Sequence, residues 1–368
     1  MGKGAFFMLN CKKQLRRMYA VSAGASFQIA GASWVALLAA RGFSMVEIGL
    51  AEGVFHLASF LFEVPSGVVA DVFGRKRALL LSQCMFVASS AAMLLSNSMA
   101  GVLVCMALSA LGYNFASGSR EALAYETLKA EGREQEYDAF AANEMMIWRI
   151  GNAAATLCAG LALWMGWRRA YLVDLVLNTG CLLLMMGLRE PPREVFAGGC
   201  WQRVAASVRE SIEFLVHRRQ VRRLMLFNAG VGAVATMLLF LLQARLPAIG
   251  MPAALLGPAL FWMGLGGAVG AQLVRFTGGC SYRRIAALCA GGVLLAVLLA
   301  ATPWPAAACA GGFCAGLLDD LLQVRTDIRL NSMCPSQQRA TLLSVSSLCF
   351  SLVMLGLAPA MGALFGAL

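Results

Sequence analysis

Charge is what this chain has least of. Of its 368 residues only 13% are Asp, Glu, Lys or Arg, about half the share in an ordinary soluble domain. A soluble enzyme of ordinary make-up and a disordered chain are both excluded on that ground. Histidine is nearly absent: two residues, His56 and His217, exclude a His-rich metal cluster and any HExxH site. The twelve Cys include no CxxC and no Cys/His ligand spacing, so structural zinc is not expected. Most of them lie in apolar stretches and read as small buried hydrophobes. There is no Walker-type phosphate loop and no Gly-x-Ser-x-Gly. An ATP-driven pump would need a separate subunit, no cofactor is expected, and the chain does not read as an enzyme.

What the chain has is apolar length. Hydrophobic residues make up 60% of it, and the mean hydropathy is +0.71. Eleven apolar segments can be marked, at 18–40, 46–69, 78–96, 99–119, 142–166, 169–188, 222–244, 253–275, 284–302, 304–324 and 340–366. Each has roughly the 20 residues needed to cross a bilayer. In hydrocarbon only helices and closed barrels satisfy the backbone, and runs this continuously apolar are helices, not the short alternating strands of a barrel. The net charge of +11 does not point to nucleic acid, because the charges sit in short clusters between the apolar runs. With the N-terminus in the cytoplasm, Arg41, Arg168, Arg169 and Arg245 are the only ones of the 30 Lys and Arg on the far side. That is the asymmetry of the positive-inside rule.

One connection, 189–221, separates six spans from five. Trp201, Val204, Ala205, Val208, Ile212, Leu215 and Val216 recur along it at helical spacing, which predicts an amphipathic helix on the cytoplasmic face. A linker helix packed on the loops fits the same pattern. The expected organisation is therefore a six-helix bundle over 1–188, this linker over 189–221, and about five helices over 222–368. An internal repeat supports two similar halves. Gly118 precedes Glu121 by three residues near the end of span four, and Gly316 precedes Asp319 likewise near the end of span ten.

Between spans two and three stands Gly67-x-x-x-Asp71-x-x-Gly74-Arg75-Lys76. This G-x-x-x-D-x-x-G-R-K pattern, in the cytoplasmic loop after span two, resembles the signature loop of the major facilitator superfamily. Phe62 to Ser66 and Arg339 to Ser344 resemble bacterial drug and small-solute transporters of that family. The resemblance implies an all-α integral membrane fold of two parallel-repeat bundles. That family usually has twelve spans, so a twelfth is expected to be missing here. It also implies that the loop latches the halves together. Gly67 would let two helices approach, Gly74 permits the tight turn, and Asp71 suits the positive start of span eleven. Arg75 suits a carboxylate after span four, Glu121 or Glu126. A second loop of the same chemistry is not expected, since Arg275 stands in the acidic position between spans eight and nine.

Ionisable groups inside a span are costly and are functional candidates by default. On span two, at about 100° per residue, His56 lies about 40° and Glu63 about 20° from Glu52. The three form one polar face, a candidate proton route. The resemblance puts the central cavity among spans one, four, seven and ten, where Gln28, Trp34, Tyr113, Asn114, Asn228, Asp319 and Asp320 are the candidate solute contacts.

Together these features read as a secondary active transporter of a small organic solute, working by alternating access and coupled to protons as an exporter. The expected location is the cytoplasmic membrane of a bacterium, multi-pass, N-terminus inside, as a monomer among lipid without nucleic acid. The alternatives are an uncoupled facilitator and a non-transporting sensor or scaffold of the same fold. The topology predicts that an impermeant thiol reagent added to intact cells leaves cysteines engineered into 200–217 unlabelled. Strong labelling there would reverse the orientation.

Overall fold

The computed structural model describes residues 11–191, 200–333 and 339–367. Among them every regular element is helical. The first set comprises α1 (Cys11–Ser26), α2 (Ile29–Ala32), α3 (Trp34–Ala40), α4 (Met45–Phe73), α5 (Arg75–Leu95), α6 (Met99–Ala116), α7 (Ser119–Ala130), α8 (Tyr137–Leu157), α9 (Ala159–Met165) and α10 (Trp167–Met186). After α11 (Cys200–His217) follow α12 (Arg219–Ala248), α13 (Ala253–Leu273), α14 (Tyr282–Ala300), α15 (Pro305–Met333) and α16 (Arg339–Gly366).

Nine described helices are long and apolar enough to cross a membrane, or ten when α8 and α9, bent by 49° at Cys158, count as one. The shortfall from the expected eleven is the first segment. It is broken into α1, α2 and α3 at Gln28, which is extended, and at Ser33. A break inside a span exposes backbone amides that lipid cannot satisfy. Here Asp174 of α10 supplies the acceptor. It is 3% exposed and takes the Gly31 amide at 2.8 Å. Next to it Asn178 joins Gln28, Gln83 and Ser90 in one buried amide network. The break thus lies in a polar pocket of the first set, not in lipid.

Helix ends follow the local chemistry. Ser44 and Glu47 form a capping box at the start of α4, closing two otherwise unpaired amides. Two of the arginines that depart from the positive-inside distribution serve as C-terminal caps. Arg41, after the first span, donates to Ser96 O at the end of α5 at 2.7 Å. Arg245, near the end of α12, donates to Ala300 O at the end of α14 at 3.0 Å. Cations at helix C-termini meet the last free carbonyls. First span to third and seventh to ninth is the same relation in both sets, a structural form of the repeat. The Gly118/Gly316 match is less deep. Gly118, at φ +66°, separates α6 from α7, whereas Gly316 lies within an unbroken α15.

The two sets meet through α4 on α16, α8 and α9 on α13, and α3 on α12. Glycine sets the distance at one end. A Cβ on Gly49 would strike the carbonyl of Ala358, one on Gly362 that of Met45, and one on Gly257 that of Leu157. Trp34 and Phe240 add an edge-on ring contact at 5.7 Å. All these residues lie toward the end that carries Gly42, Gly166 and Gly250. Among the described residues α6 and α15 share no packed interface. The linker helix α11 packs on α4, α12 and α16, with Phe214 8% exposed among Val221, Met225 and Leu342. Val216, expected on its apolar face, is 58% exposed.

Overpacking a tight contact costs about 1–3 kcal/mol. Gly257→Val should therefore shift the protein toward a state open at this end. Hydrogen exchange at 41–49 and 249–257 should speed up while the interior of α5 and α14 keeps its protection. Unchanged exchange in both segments would mean that the glycine contacts do not hold the end shut.

Candidate functional site

The signature loop is built around Gly74. Its φ of +108° suits glycine, and a Cβ there would stand 2.8 Å from the Glu190 carboxylate. Glu190, just after α10, accepts from the amides of Arg75 at 2.7 Å and Lys76 at 2.8 Å. The first amides of a helix lack intrahelical partners, and a carboxylate on them also meets the positive helix end. Asp71 pairs with Arg75 at 2.7 Å, and Arg75 reaches Glu126 at 3.9 Å. Of the two acids expected for Arg75, Glu126 and not Glu121 is placed on it. The start of α16, the partner expected for Asp71, adjoins 334–338, outside the described residues. Among the described residues nothing lies within 4 Å of a Cβ placed on Gly67.

The face of span two is a seam between the two sets. Glu52 and His56 are 5% and 7% exposed and meet at 3.2 Å, Oε1 to Nε2. The other ring nitrogen of His56 lies 3.3 Å from Ser351 Oγ on α16. Phe55 and Phe350 flank the imidazole edge-on at 5.3 and 5.5 Å. Further along α4, Glu63 lies near Ser347 of α16. Ser347 and Ser351 are four residues apart and share a helix face. The whole line of polar groups therefore bridges α4 and α16, which belong to different halves.

The cavity candidates divide. Asn114 is fully engaged by Ser59: it accepts from Ser59 Oγ at 3.0 Å and donates to Ser59 O at 2.8 Å. In this state it ties α6 to α4. Gln28 belongs to the amide network around Asn178, and Trp34 belongs to the closed end. In this state each of the three is held against a neighbouring helix. Tyr113 is 59% exposed, its ring edge-on to Phe55 and Phe86.

Asn228 does line a cavity, of about 270 Å³, with Gln323, Asp327, Ser346, Ser347 and Phe350. Asn228 donates to Gln323, and Gln323 in turn donates to both oxygens of Asp327 at 3.1 Å. Ser347 belongs both to this wall and to the Glu63 contact. Asp319 and Asp320 point apart. Asp319 fits where Gly232 of α12 has no Cβ, beside Phe350, and Asp320 fits against Gly267 of α13.

Sequence reasoning missed Asp174, Glu190, and the Arg120–Glu144 pair at 3.4 Å, in which Ser22 donates to Glu144 at 2.7 Å. Asp174 and Glu144 are acids within apolar segments, and that was the available signal. Among the described residues no group of His, Cys, Asp or Glu could hold a metal.

Comparison with known proteins places this geometry. A sequence model of the Major Facilitator Superfamily matches residues 18–359. An uncharacterized transporter of Buchnera aphidicola is 30% identical over 86 residues, 23% of this chain and 22% of that protein. The uncharacterized MFS-type transporter YxaM of Bacillus subtilis is 33% identical over 88 residues, 24% of this chain and 22% of that one. The chain thus aligns with about a fifth of the length of each curated relative. Among solved structures, a point mutant of the nucleoside transporter NupG superposes with a TM-score of 0.75 at 12% identity, covering 96% of each chain. A bacterial homolog of the human lysosomal transporter Spinster, inward-facing and unoccupied, gives 0.68 at 18% identity over 95% of this chain and 80% of its own. A D-xylose–proton symporter gives 0.66 at 12% over 96% and 89%. At these identities the likeness is one of fold.

The Glu190 cap generates a direct test. Glu190→Ala leaves two helix-starting amides without their acceptor and should cost about 1 kcal/mol. The melting temperature of the detergent-purified protein should fall measurably, whereas Glu121→Ala should leave it in place. Equal melting of wild type and Glu190→Ala would mean that water replaces the cap freely.

Proposed function

The chain belongs to the Major Facilitator Superfamily, and we propose that it is a secondary active transporter that exports a small organic solute by alternating access, coupled to protons. Its place in this reading is the cytoplasmic membrane of a bacterium, with the N-terminus and α11 inside. The glycine-set end is then the outer end, and the described state is closed to the outside.

The observation that carries the reading is the Glu52–His56–Ser351 seam between α4 and α16, with Glu63 facing Ser347 further along it. Alternating access requires two arrangements of the halves and an interaction that differs between them. A seam of hydrogen bonds running from one half to the other is such an interaction. A hydrogen bond to a carboxylate is roughly twice as strong as one between neutral groups. Taking up a proton at Glu63 removes its charge where it faces Ser347. Ser347 also lines the 270 Å³ cavity with Asn228, Gln323 and Asp327, so the proton-bearing group and the solute pocket share a residue. Two amides and an acid on the wall suit a polar or cationic solute carrying hydrogen-bond donors, with Phe350 for its apolar part. Asp71, Arg75 and Glu126 act in this scheme as the latch at the inner end, with Asp319 and Asp320 held in reserve behind Phe350 and Gly267.

The test uses a solute found by thermal-shift screening of the purified chain, then proteoliposomes. Coupling free energies of 1–3 kcal/mol correspond to about 5–150-fold. Glu63→Gln should therefore lower flux driven by a pH gradient at least about fivefold while solute exchange continues. Accumulation by the variant equal to that of wild type would make the seam structural. Solute binding with no flux in the wild-type chain would favour the sensor reading instead.

A further inference from the structure

In the first set, α10 packs along α1 and α5. The corresponding helices of the second set are α12 and α14, related to one another by the Arg245 cap as the first span and α5 are by Arg41. Among the described residues no helix covers α12 and α14 in that way. A groove of about 510 Å³ lies there instead, between α12, α14 and α15.

The two ends of the groove differ in chemistry. Arg223, Arg283 and Arg329 line it, with Gln220 beside them. All three arginines are exposed. They stand near the start of α12, the start of α14 and the end of α15, the same end of the molecule as Arg75, Lys76 and Arg77. Among the described residues no carboxylate lines the groove, and none of the described ion pairs involves these three. One of them is held in position. The Arg329 guanidinium sits 5.0 Å above the Tyr282 ring, and the Tyr282 hydroxyl is fixed to Thr326 Oγ1 at 2.9 Å. Toward the membrane interior the lining becomes apolar, with Leu224, Phe227, Ala287 and Ala290. Phe227 is 40% exposed.

Three guanidiniums without a carboxylate partner at a helix-end level, above an apolar trough that opens sideways, complement one kind of molecule. We propose that this groove binds an anionic phospholipid, its phosphate among Arg223, Arg283 and Arg329 and its acyl chains along Leu224 and Phe227. Basic pockets between membrane helices at headgroup depth recognise such lipids by charge. The absence of a lining carboxylate disfavours a zwitterionic headgroup, whose ammonium would face arginines. The apolar trough disfavours a free phosphate, which would leave it empty. The groove shares no lining residue with the Asn228–Gln323 cavity, and it stands whether or not the chain transports a solute.

The test is binding of defined lipids to the delipidated full-length chain in neutral detergent, read by native mass spectrometry and by thermal shift. The probes are phosphatidylglycerol, phosphatidylcholine and inorganic phosphate. Each arginine near a phosphate contributes about fivefold in affinity. R223Q/R283Q/R329Q should therefore lose about a hundredfold for phosphatidylglycerol and nothing for phosphatidylcholine. R168Q/R169Q, at the opposite end, should bind as wild type does. Should the triple variant fold poorly, Arg223→Gln and Arg283→Gln singly change exposed side chains and should each show the fivefold step. Equal phosphatidylglycerol binding by wild type and variants would overturn the proposal, as would equal affinity for the two lipids. Full displacement of the lipid by inorganic phosphate would overturn it in favour of a soluble phosphate compound.

Discussion

Hydrocarbon offers no hydrogen bonds, and the architecture follows from that constraint. Each polar atom inside a span must find its partner within the protein. Where a helix is continuous, the backbone supplies its own partners, and the interiors of α5, α12 and α14 need nothing else. Where it breaks, as at Gln28, a second helix must deliver an acceptor, and Asp174 does so for the Gly31 amide. Where a span begins or ends, a side chain closes the free groups: Glu190 on the start of α5, Arg41 and Arg245 on the ends of α5 and α14. Another polar line, Glu52–His56–Ser351, lies between the two halves.

Two kinds of contact give the interface its character. At one end α4 and α16 meet glycine against carbonyl, backbone to backbone. Further along it becomes polar, through His56, Ser351, Glu63 and Ser347. A backbone-to-backbone contact is sensitive to a single added methyl group and indifferent to protons. A hydrogen-bonded seam has the opposite sensitivities. Placing both on the same helix pair, α4 and α16, lets one end fix geometry while the other responds to charge.

Much of this is legible in the sequence. Apolar length announces the spans because the bilayer demands a fixed thickness. The loop at Gly74 is legible because a tight turn between two helices requires glycine there. Glu52, His56 and Glu63 are legible as one face because helical spacing is a local property. The partners are another matter. Arg75 could be matched to Glu121 or Glu126 but not to one of them, and Glu190 was invisible, since it lies 115 residues away in the chain. Asn114 and Gln28 read as open polar groups because sequence shows the donor and not the helix that satisfies it. The broken first span was hidden for a related reason. Its residues are apolar enough to run straight through, and the acid that stabilises the break sits in span six.

The dependence of that break on Asp174 has a consequence for how the protein is made. Synthesis delivers Gly31 to the bilayer long before residue 174 exists, and the two are 143 positions apart. During that interval the Gly31 amide has no carboxylate, and lipid offers none. The first span must therefore wait, either as an unbroken helix or in contact with the insertion machinery, until the sixth arrives. Only then can it take its kinked shape. The first half is thus completed by its last helix, and the order of insertion is written into a single side chain.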